Sequence, residues 1–124
     1  MPPGRVAALA DAIRTVAPLD APADVRLHQF FRARKQMGRQ DRAFVAEGVF
    51  AFLRHKRSIE ALAATQDPRR LALATLVREM GKSVREIDAA LSVDEREWLA
   101  AFKSRIATPL PEAVAAELPD WLWD

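Results

Sequence analysis

The hydrophobic positions of this chain recur with a helical period, and they are densest between residues 42 and 57. At about 100° per residue, one face of a helix here collects Phe44, Val45, Gly48, Val49, Phe52 and Leu53. The back of the same helix carries Ala43, Ala46 and Phe50. Because so much of the circumference is apolar, we expect a central core helix with neighbours on several sides. Asp41 is expected to cap its start, and Phe52 and Leu53 to be fully buried.

The same periodicity predicts helices along the rest of the chain, over residues 5–17, 20–36, 69–80, 83–91, 92–106 and 111–117. The central helix is expected to continue to residue 63, with a kink near Ser58. No segment alternates as a strand does. The predicted fold class is therefore all-α, a compact bundle of about six to seven helices.

Local capping chemistry predicts where several helices begin and end. Asp67 precedes a proline, a pair typical of an N-cap and the first helical position. Two Ser-x-x-Glu sequences, at Ser83 and Ser92, match the capping box. Gly38 and Gly81 are expected to end the preceding helices, Gly38 in a left-handed conformation.

Composition excludes several kinds of site. The chain has no cysteine, so disulfides, thiolate metal ligands and cysteine nucleophiles are absent. With only two histidines we expect no metal site. Asp94, Glu95 and Glu97 fall in the first turn of a predicted helix, where carboxylates are favoured without any catalytic role. No apolar run reaches the roughly 20 residues of a membrane span, so we expect a cytoplasmic protein without membrane contact.

Positive charge is concentrated in the middle of the sequence, although the net charge is only +2. Residues 26–70 contain eleven lysines and arginines against four acidic residues, a local net charge of +7. The remaining residues contain eight against thirteen, a net charge of −5. Such a basic middle favours a polyanionic partner, although solvated helix faces produce similar runs.

The basic residues form two clusters in the sequence. The first flanks the start of the central helix and contains Arg32, Arg34, Lys35, Arg39 and Arg42. The second follows its end and contains Arg54, Lys56, Arg57, Arg69 and Arg70. Since a helix of this length spans roughly 20 Å, the clusters are expected at opposite ends of it. Arginine binds RNA phosphate through bidentate contacts, so these ten residues are candidates for RNA binding.

Two sequence motifs resemble a known family. The first begins at Asp41 and shares with it Asp41, Arg42, Glu47, Val49, Leu53 and Arg54. It departs from the family's pattern at Phe50, where a tyrosine is usual, and at Ala51, where a glycine is usual. The second, residues 118–122, reads LPDWL and is similar to a Pro-x-Trp-Leu element. The chain thereby resembles the N-terminal NusB-like domain of the RsmB/Sun (Fmu) family of rRNA cytosine-5 methyltransferases.

This resemblance implies an accessory role in a larger enzyme. The family's catalytic domain binds S-adenosylmethionine, carries two catalytic cysteines and has a Rossmann-like fold. This sequence has no cysteine and no strand–glycine–helix unit that would predict such a fold. The chain alone is therefore expected to be no enzyme and to bind no cofactor. Residues 1–117 would form the NusB-like domain, and residues 118–124 would start the linker into the methyltransferase domain. The domain would hold or orient rRNA. The alternative is a helical protein-interaction module with no direct RNA role.

The C-terminal tail is expected to be a docking surface. Trp121, Leu122 and Trp123 are consecutive, and neighbouring side chains on a helix diverge by about 100°, so they cannot all face inward. At least one large apolar group is then exposed and requires a neighbour. The candidates are the start of the catalytic domain, a second copy of the chain and a groove on the same domain.

Overall fold

The structure, a computed structural model, describes residues 1–106. Seven α-helices make up this part of the chain, with a short 3₁₀ helix, Asp88–Ala90, between the sixth and seventh. They are α1 Pro3–Val16, α2 Ala23–Arg32, α3 Arg39–Arg54, α4 Lys56–Ala63, α5 Pro68–Arg78, α6 Val84–Ile87 and α7 Val93–Arg105. Residues 1–106 contain no strand, and the predicted all-α bundle of six to seven helices is confirmed. The predicted helix at 111–117 and the tail lie outside the described residues.

Three helix starts predicted from local chemistry, those at Asp67, Ser83 and Ser92, are confirmed. The carboxylate of Asp67 accepts a hydrogen bond of 3.0 Å from the backbone N–H of Arg70 at the start of α5. Both capping boxes form, with Ser83 at the start of α6 and Ser92 at the start of α7. Gly81 follows α5 with a φ of 66°, which suits glycine because it has no Cβ.

Two predictions near the start of α3 are wrong. α2 ends at Arg32, so Gly38 is not its cap; Gly38 is the N-cap of α3, with an extended φ of −76°. Since α3 begins at Arg39, Asp41 lies inside its first turn rather than at the cap. Its carboxylate instead accepts a hydrogen bond of 2.7 Å from Arg5 Nε, which joins α3 to α1.

The long central helix is interrupted earlier than expected. The break lies at His55, whose φ of −125° and ψ of 29° are not helical, and α4 begins at Lys56. The predicted kink near Ser58 is therefore displaced by one turn. Ser58 itself is buried within α4.

The centre of the bundle is formed by α1 and α5. α1 packs against α2, α3 and α5, and α5 also contacts α3, α4 and α7. Six consecutive residues of α5 are buried, from Leu71 to Leu76. The one polar side chain among them, Thr75, donates its hydroxyl to the carbonyl oxygen of Leu71 at 2.8 Å. α5 thus fulfils the enclosed role that the sequence assigned to α3.

α3 has the predicted neighbours on several sides, since it contacts α1, α4 and α5, but one stripe along it is exposed. Its buried residues are Val45, Gly48, Val49 and Phe52. Leu53, expected to be fully buried, is only partly buried, as is Phe44. Ala43 and Phe50 on its back are exposed. The apolar back of α3 was misread because alanine and a single phenylalanine are compatible with solvent.

α3 lies close to α1 at Gly48. A Cβ atom at this position would lie 2.6 Å from Leu9 Cδ1, closer than two carbon atoms can pack. Leu9 is fully buried, so its side chain has little room to move away. The absence of a side chain at Gly48 therefore sets the α1–α3 distance. None of the helices within residues 1–106 is long and apolar enough to span a membrane.

Candidate nucleic-acid interface

The turn between α2 and α3 is built by two arginines of the first basic cluster. Arg34 lies over the ring of Phe30, with 3.7 Å from its guanidinium carbon to the ring centroid. Arg42 donates from Nε to the carbonyl oxygen of Met37 at 2.8 Å and from Nη2 to that of Arg34 at 3.3 Å. Both carbonyl groups belong to the turn that follows α2, so Arg42 ties this turn to the first turn of α3. Arg34 and Arg42 thus fix the turn.

The other three basic residues of this cluster, Arg32, Lys35 and Arg39, are exposed. Beside the turn lies an open depression of about 650 Å³. It is lined by Gln29, Phe31, Arg32, Ala33, Lys35 and Arg42. We call this depression, together with Arg39, the α2–α3 corner. Because Arg34 and Arg42 hold the backbone, the exposed cations project from a fixed turn.

The electrostatic field of the α2–α3 corner is positive. Three of the six residues that line the depression are cationic and none is acidic. Among the surrounding carboxylates, Asp41 pairs with Arg5, and Asp11 with Arg14 at 3.0 Å and Arg34 at 3.9 Å. Asp24 lines an adjoining depression together with Gln29 and Arg32. The corner can therefore bind an anion without first displacing a carboxylate from the depression.

Sequence reasoning missed the aromatic component of this site. Of the two consecutive phenylalanines of α2, Phe30 and Phe31, only Phe30 is buried. The two rings meet edge to face with centroids 5.6 Å apart, and Phe31 lines the depression 5.4 Å from the Arg42 guanidinium carbon. The signal was present, since consecutive helical residues point about 100° apart and two adjacent rings need not share one buried face. Gln29, three residues earlier, was also missed.

The second basic cluster presents less uncompensated charge. Lys56 Nζ bonds both carboxylate oxygens of Glu60, at 3.0 and 3.1 Å. Arg54 and Arg57 are exposed beside this pair. His55 Nε2, between them in sequence, lies 3.8 Å from a carboxylate oxygen of Glu79.

Arg69, also in the second cluster, has a structural role. Its Nε donates to Glu95 at 2.8 Å and its Nη2 donates to the carbonyl oxygen of Ala90 at 2.6 Å, which joins α5 to the start of α7. Burial raises the pKa of Glu95, but hydrogen bonds from Arg69 and Ser92 outweigh this and hold the pKa below its ordinary value. Arg70 lies 5.5 Å over the ring of Trp98.

The two clusters lie at opposite ends of α3. Arg39 and Arg42 are in its first turn and Arg54 is its last residue. A helix of 16 residues is about 24 Å long. The structure thus places the α3 residues of the two clusters at its opposite ends, whereas Arg69 and Arg70 belong to α5.

Two further kinds of site, a metal site and the predicted docking tail, were also considered in the sequence. Within residues 1–106, no group of three or more His, Asp or Glu side chains could hold a metal ion. The predicted docking residues Trp121, Leu122 and Trp123 lie outside the described residues.

Comparison with protein-family models, with curated proteins and with solved structures gives no match for this chain.

Proposed function

We propose that this chain is an RNA-binding domain and that the α2–α3 corner contacts the RNA backbone. The observation that supports it is the depression itself, in which three cations and an aromatic ring meet without a carboxylate. Phosphate contacts of this kind provide affinity and position without reading sequence.

The exposed cations have distinct roles in this proposal. Arg32 and Arg39 can each clamp a phosphate with two parallel N–H donors, whereas Lys35 provides a mobile point charge. Phe31, which lines the depression, offers an apolar surface for an unstacked base or a ribose. Arg42 adds positive potential from its fixed position in the turn. A loop or bulge of structured RNA suits this arrangement better than a regular duplex.

We further propose that the domain serves an rRNA cytosine-5 methyltransferase. This part rests on the resemblance at Asp41–Arg54 and at residues 118–122. The domain would hold or orient rRNA for a methyltransferase domain that follows it, in the cytoplasm. S-adenosylmethionine would bind to that domain and not to this chain.

The proposal is tested by titrating a fluorescent RNA stem-loop with the full chain. Arg32→Ala combined with Lys35→Ala is expected to weaken binding of stem-loops of different sequence to a similar extent, because phosphate contacts are not sequence-specific. The matched control removes one exposed arginine and one exposed lysine elsewhere, with Arg85→Ala on α6 and Lys103→Ala on α7. Failure of the unsubstituted chain to bind, or equal weakening by the control pair, would contradict the proposal.

A protein-interaction module is the second candidate function. The observation that favours it is Phe50, an aromatic residue of α3 that is 43% exposed. A chain that binds no stem-loop at low salt but associates with a methyltransferase domain through α3 would support this alternative.

A further inference from the structure

The depression of the α2–α3 corner adjoins a second one on the exposed face of α2. This second depression is open, has a volume of about 530 Å³ and is lined by Asp24, Val25, His28, Gln29 and Arg32. Gln29 and Arg32 line both depressions. A ligand that binds at the corner can therefore continue along α2 into the second depression, which we call the α2 depression.

The two depressions differ in charge. The corner depression presents Arg32, Lys35 and Arg42 without a carboxylate, whereas the α2 depression combines Arg32 with Asp24. The carboxylate of Asp24 is exposed and makes no ion pair within residues 1–106. Asp24 precedes Arg32 by eight residues, which is about 12 Å along the helix axis. Because like charges repel, a polyanion at the corner should turn its phosphates towards Arg32 and away from Asp24.

The carboxylate of Asp24 suits a part of the ligand that donates hydrogen bonds, because an ionised carboxylate can only accept them. In RNA these donors lie on the base edges and the ribose hydroxyls, and not on the phosphates. Guanine has two adjacent donors, its ring N–H and its amino group, which can form two parallel hydrogen bonds to one carboxylate. Adenine and cytosine place one amino group beside an acceptor nitrogen, and uracil places one N–H between two carbonyl oxygens. Asp24 therefore favours guanine over the other three bases.

The side chain of Gln29 offers a donor to the same ligand. Its oxygen accepts a hydrogen bond of 3.3 Å from Arg26 Nη1. Arg26 is itself held by Asp20, through Nε at 3.2 Å and Nη2 at 3.1 Å. Since an arginine side chain can only donate, this contact identifies the oxygen of the Gln29 amide and leaves the amide N–H groups for a ligand. The carbonyl oxygen of guanine, on the same edge as its ring N–H, is an acceptor of the kind that these groups require.

Two further side chains of the α2 depression offer surface for the ring of a base. Val25 is 43% exposed, and His28, one turn later, is also exposed. Unstacked bases of RNA pack on imidazole and other rings and on apolar groups. The α2 depression thus combines a surface for a base with polar groups for its edge, next to the cations of the corner.

We propose that the α2 depression binds a guanine of single-stranded RNA whose backbone lies at the α2–α3 corner. Asp24 accepts hydrogen bonds from the ring N–H and the amino group of guanine, and Gln29 donates to its carbonyl oxygen. Asp24 then determines sequence specificity, whereas the cations of the corner provide affinity without reading sequence. A guanine in a duplex presents these donors to cytosine, so the site selects an unpaired guanine. This inference rests on the proposed function and adds a base preference to it.

Fluorescence anisotropy with labelled single-stranded hexanucleotides tests the proposal on the full chain. One probe contains uridines with a single central guanosine, the second has inosine in place of the guanosine, and the third contains uridines only. We expect the guanosine probe to bind about 5- to 10-fold more tightly than the uridine probe, the lower range for a bidentate pair, because the site is exposed. Inosine keeps the ring N–H and the carbonyl group but lacks the amino group, so its probe should bind with intermediate affinity.

Asp24→Asn tests the role of the carboxylate. This variant should bind the guanosine and uridine probes equally, because only one atom of the new amide can accept a hydrogen bond. The loss of a negative charge should strengthen binding of every probe, so the readout is the ratio of the two affinities. The matched control is Asp94→Asn, since Asp94 is also exposed and is also the second residue of its helix. It should leave the ratio unchanged.

The results separate this inference from the proposed function. Suppose that the chain binds stem-loops through Arg32 and Lys35. Equal affinity for the three hexanucleotides, or no binding of any of them, would then overturn the inference and leave the proposed function intact. A chain that binds neither stem-loops nor hexanucleotides at low salt would overturn both. A guanosine preference that persists after Asp24→Asn, or that Asp94→Asn also removes, would show that Asp24 does not read the base.

Discussion

α3 and α5 are both rich in apolar residues, yet the bundle treats them differently. α5 is buried along Leu71–Leu76 and contacts α1, α3, α4 and α7. α3 buries Val45, Gly48, Val49 and Phe52 but exposes Phe50 on its opposite side. The number of apolar residues on a helix therefore does not reveal how much of its circumference is buried. The two helices differ on the side opposite their main buried face. In α5 this side packs against other helices, and in α3 it is exposed to solvent or to a ligand.

The comparison predicts its largest effect for matched leucines. Leu73 of α5 is fully buried, so Leu73→Ala should reduce the free energy of unfolding by about 2–5 kcal/mol through lost burial and a residual cavity. Leu53 of α3 is partly buried, and Leu53→Ala should cost less than about 2 kcal/mol because its site is open to water. Urea denaturation of both variants measures the difference. Equal losses would show that the two helices are enclosed alike.

The ion pair that fixes α5 to α7 gives an intermediate effect. Arg69→Met should cost about 1–3 kcal/mol near neutral pH, because it leaves the carboxylate of Glu95 partly buried without its guanidinium. The matched control is Arg96→Met, since Arg96 also bonds a carboxylate and a backbone carbonyl, those of Asp88, but both side chains are exposed. Exposed pairs contribute at most about 1 kcal/mol.

Acid should reduce the effect of Arg69→Met. The pKa of Glu95 is lowered in the folded chain, so the folded state holds its proton less tightly than the unfolded state. The resulting stabilisation is present above the unfolded pKa and is lost as the pH falls through the folded pKa. Denaturation curves are recorded near pH 7 and below about pH 4.5 for the unsubstituted chain and for Arg69→Met. The difference in their free energies of unfolding should be smaller in acid. A difference that is unchanged or larger in acid would contradict this role of Arg69.

The close contact between α3 and α1 predicts the smallest stability change. Gly48→Ala introduces a methyl group against Leu9, which should lower the free energy of unfolding by about 1–3 kcal/mol. The higher helix propensity of alanine should raise it by about 1 kcal/mol. The net loss should be about 1 kcal/mol. Gly4→Ala is the control, since no heavy atom lies within 4 Å of a Cβ at that position of α1. A Gly48→Ala variant as stable as the control would show that Leu9 moves aside freely.

The parts of the fold that the sequence predicted correctly depend on neighbouring residues. The capping boxes at Ser83 and Ser92 and the cap at Asp67 each join residues three apart, so the pattern alone identifies them. The turn at residues 33–38 was missed because Arg42 holds it from the next helix, through the carbonyl groups of Met37 and Arg34.

The candidate site was predictable to a similar extent. Charge density identified both basic clusters, because it is a property of local sequence. It could not show that Arg69 is paired with Glu95, 26 residues away, or that Arg32 and Lys35 stay exposed. Long-range ion pairing depends on how the helices pack against one another.

The salt dependence of RNA affinity tests the functional account most directly, because it compares the two ends of α3 in one experiment. Affinity for a stem-loop is measured across salt concentrations for three folded proteins. They are the unsubstituted chain, a variant with Arg32→Gln, Lys35→Gln and Arg39→Gln, and a variant with Arg54→Gln, Lys56→Gln and Arg57→Gln. Each variant removes two arginines and one lysine.

Each phosphate contact contributes about 0.7–0.9 to the log–log slope, so loss of the three exposed cations at the α2–α3 corner should flatten it by about 2–3. The second variant should leave the slope nearly unchanged. A slope that responds equally to both variants, or more strongly to the second, would contradict the assignment of RNA to the α2–α3 corner.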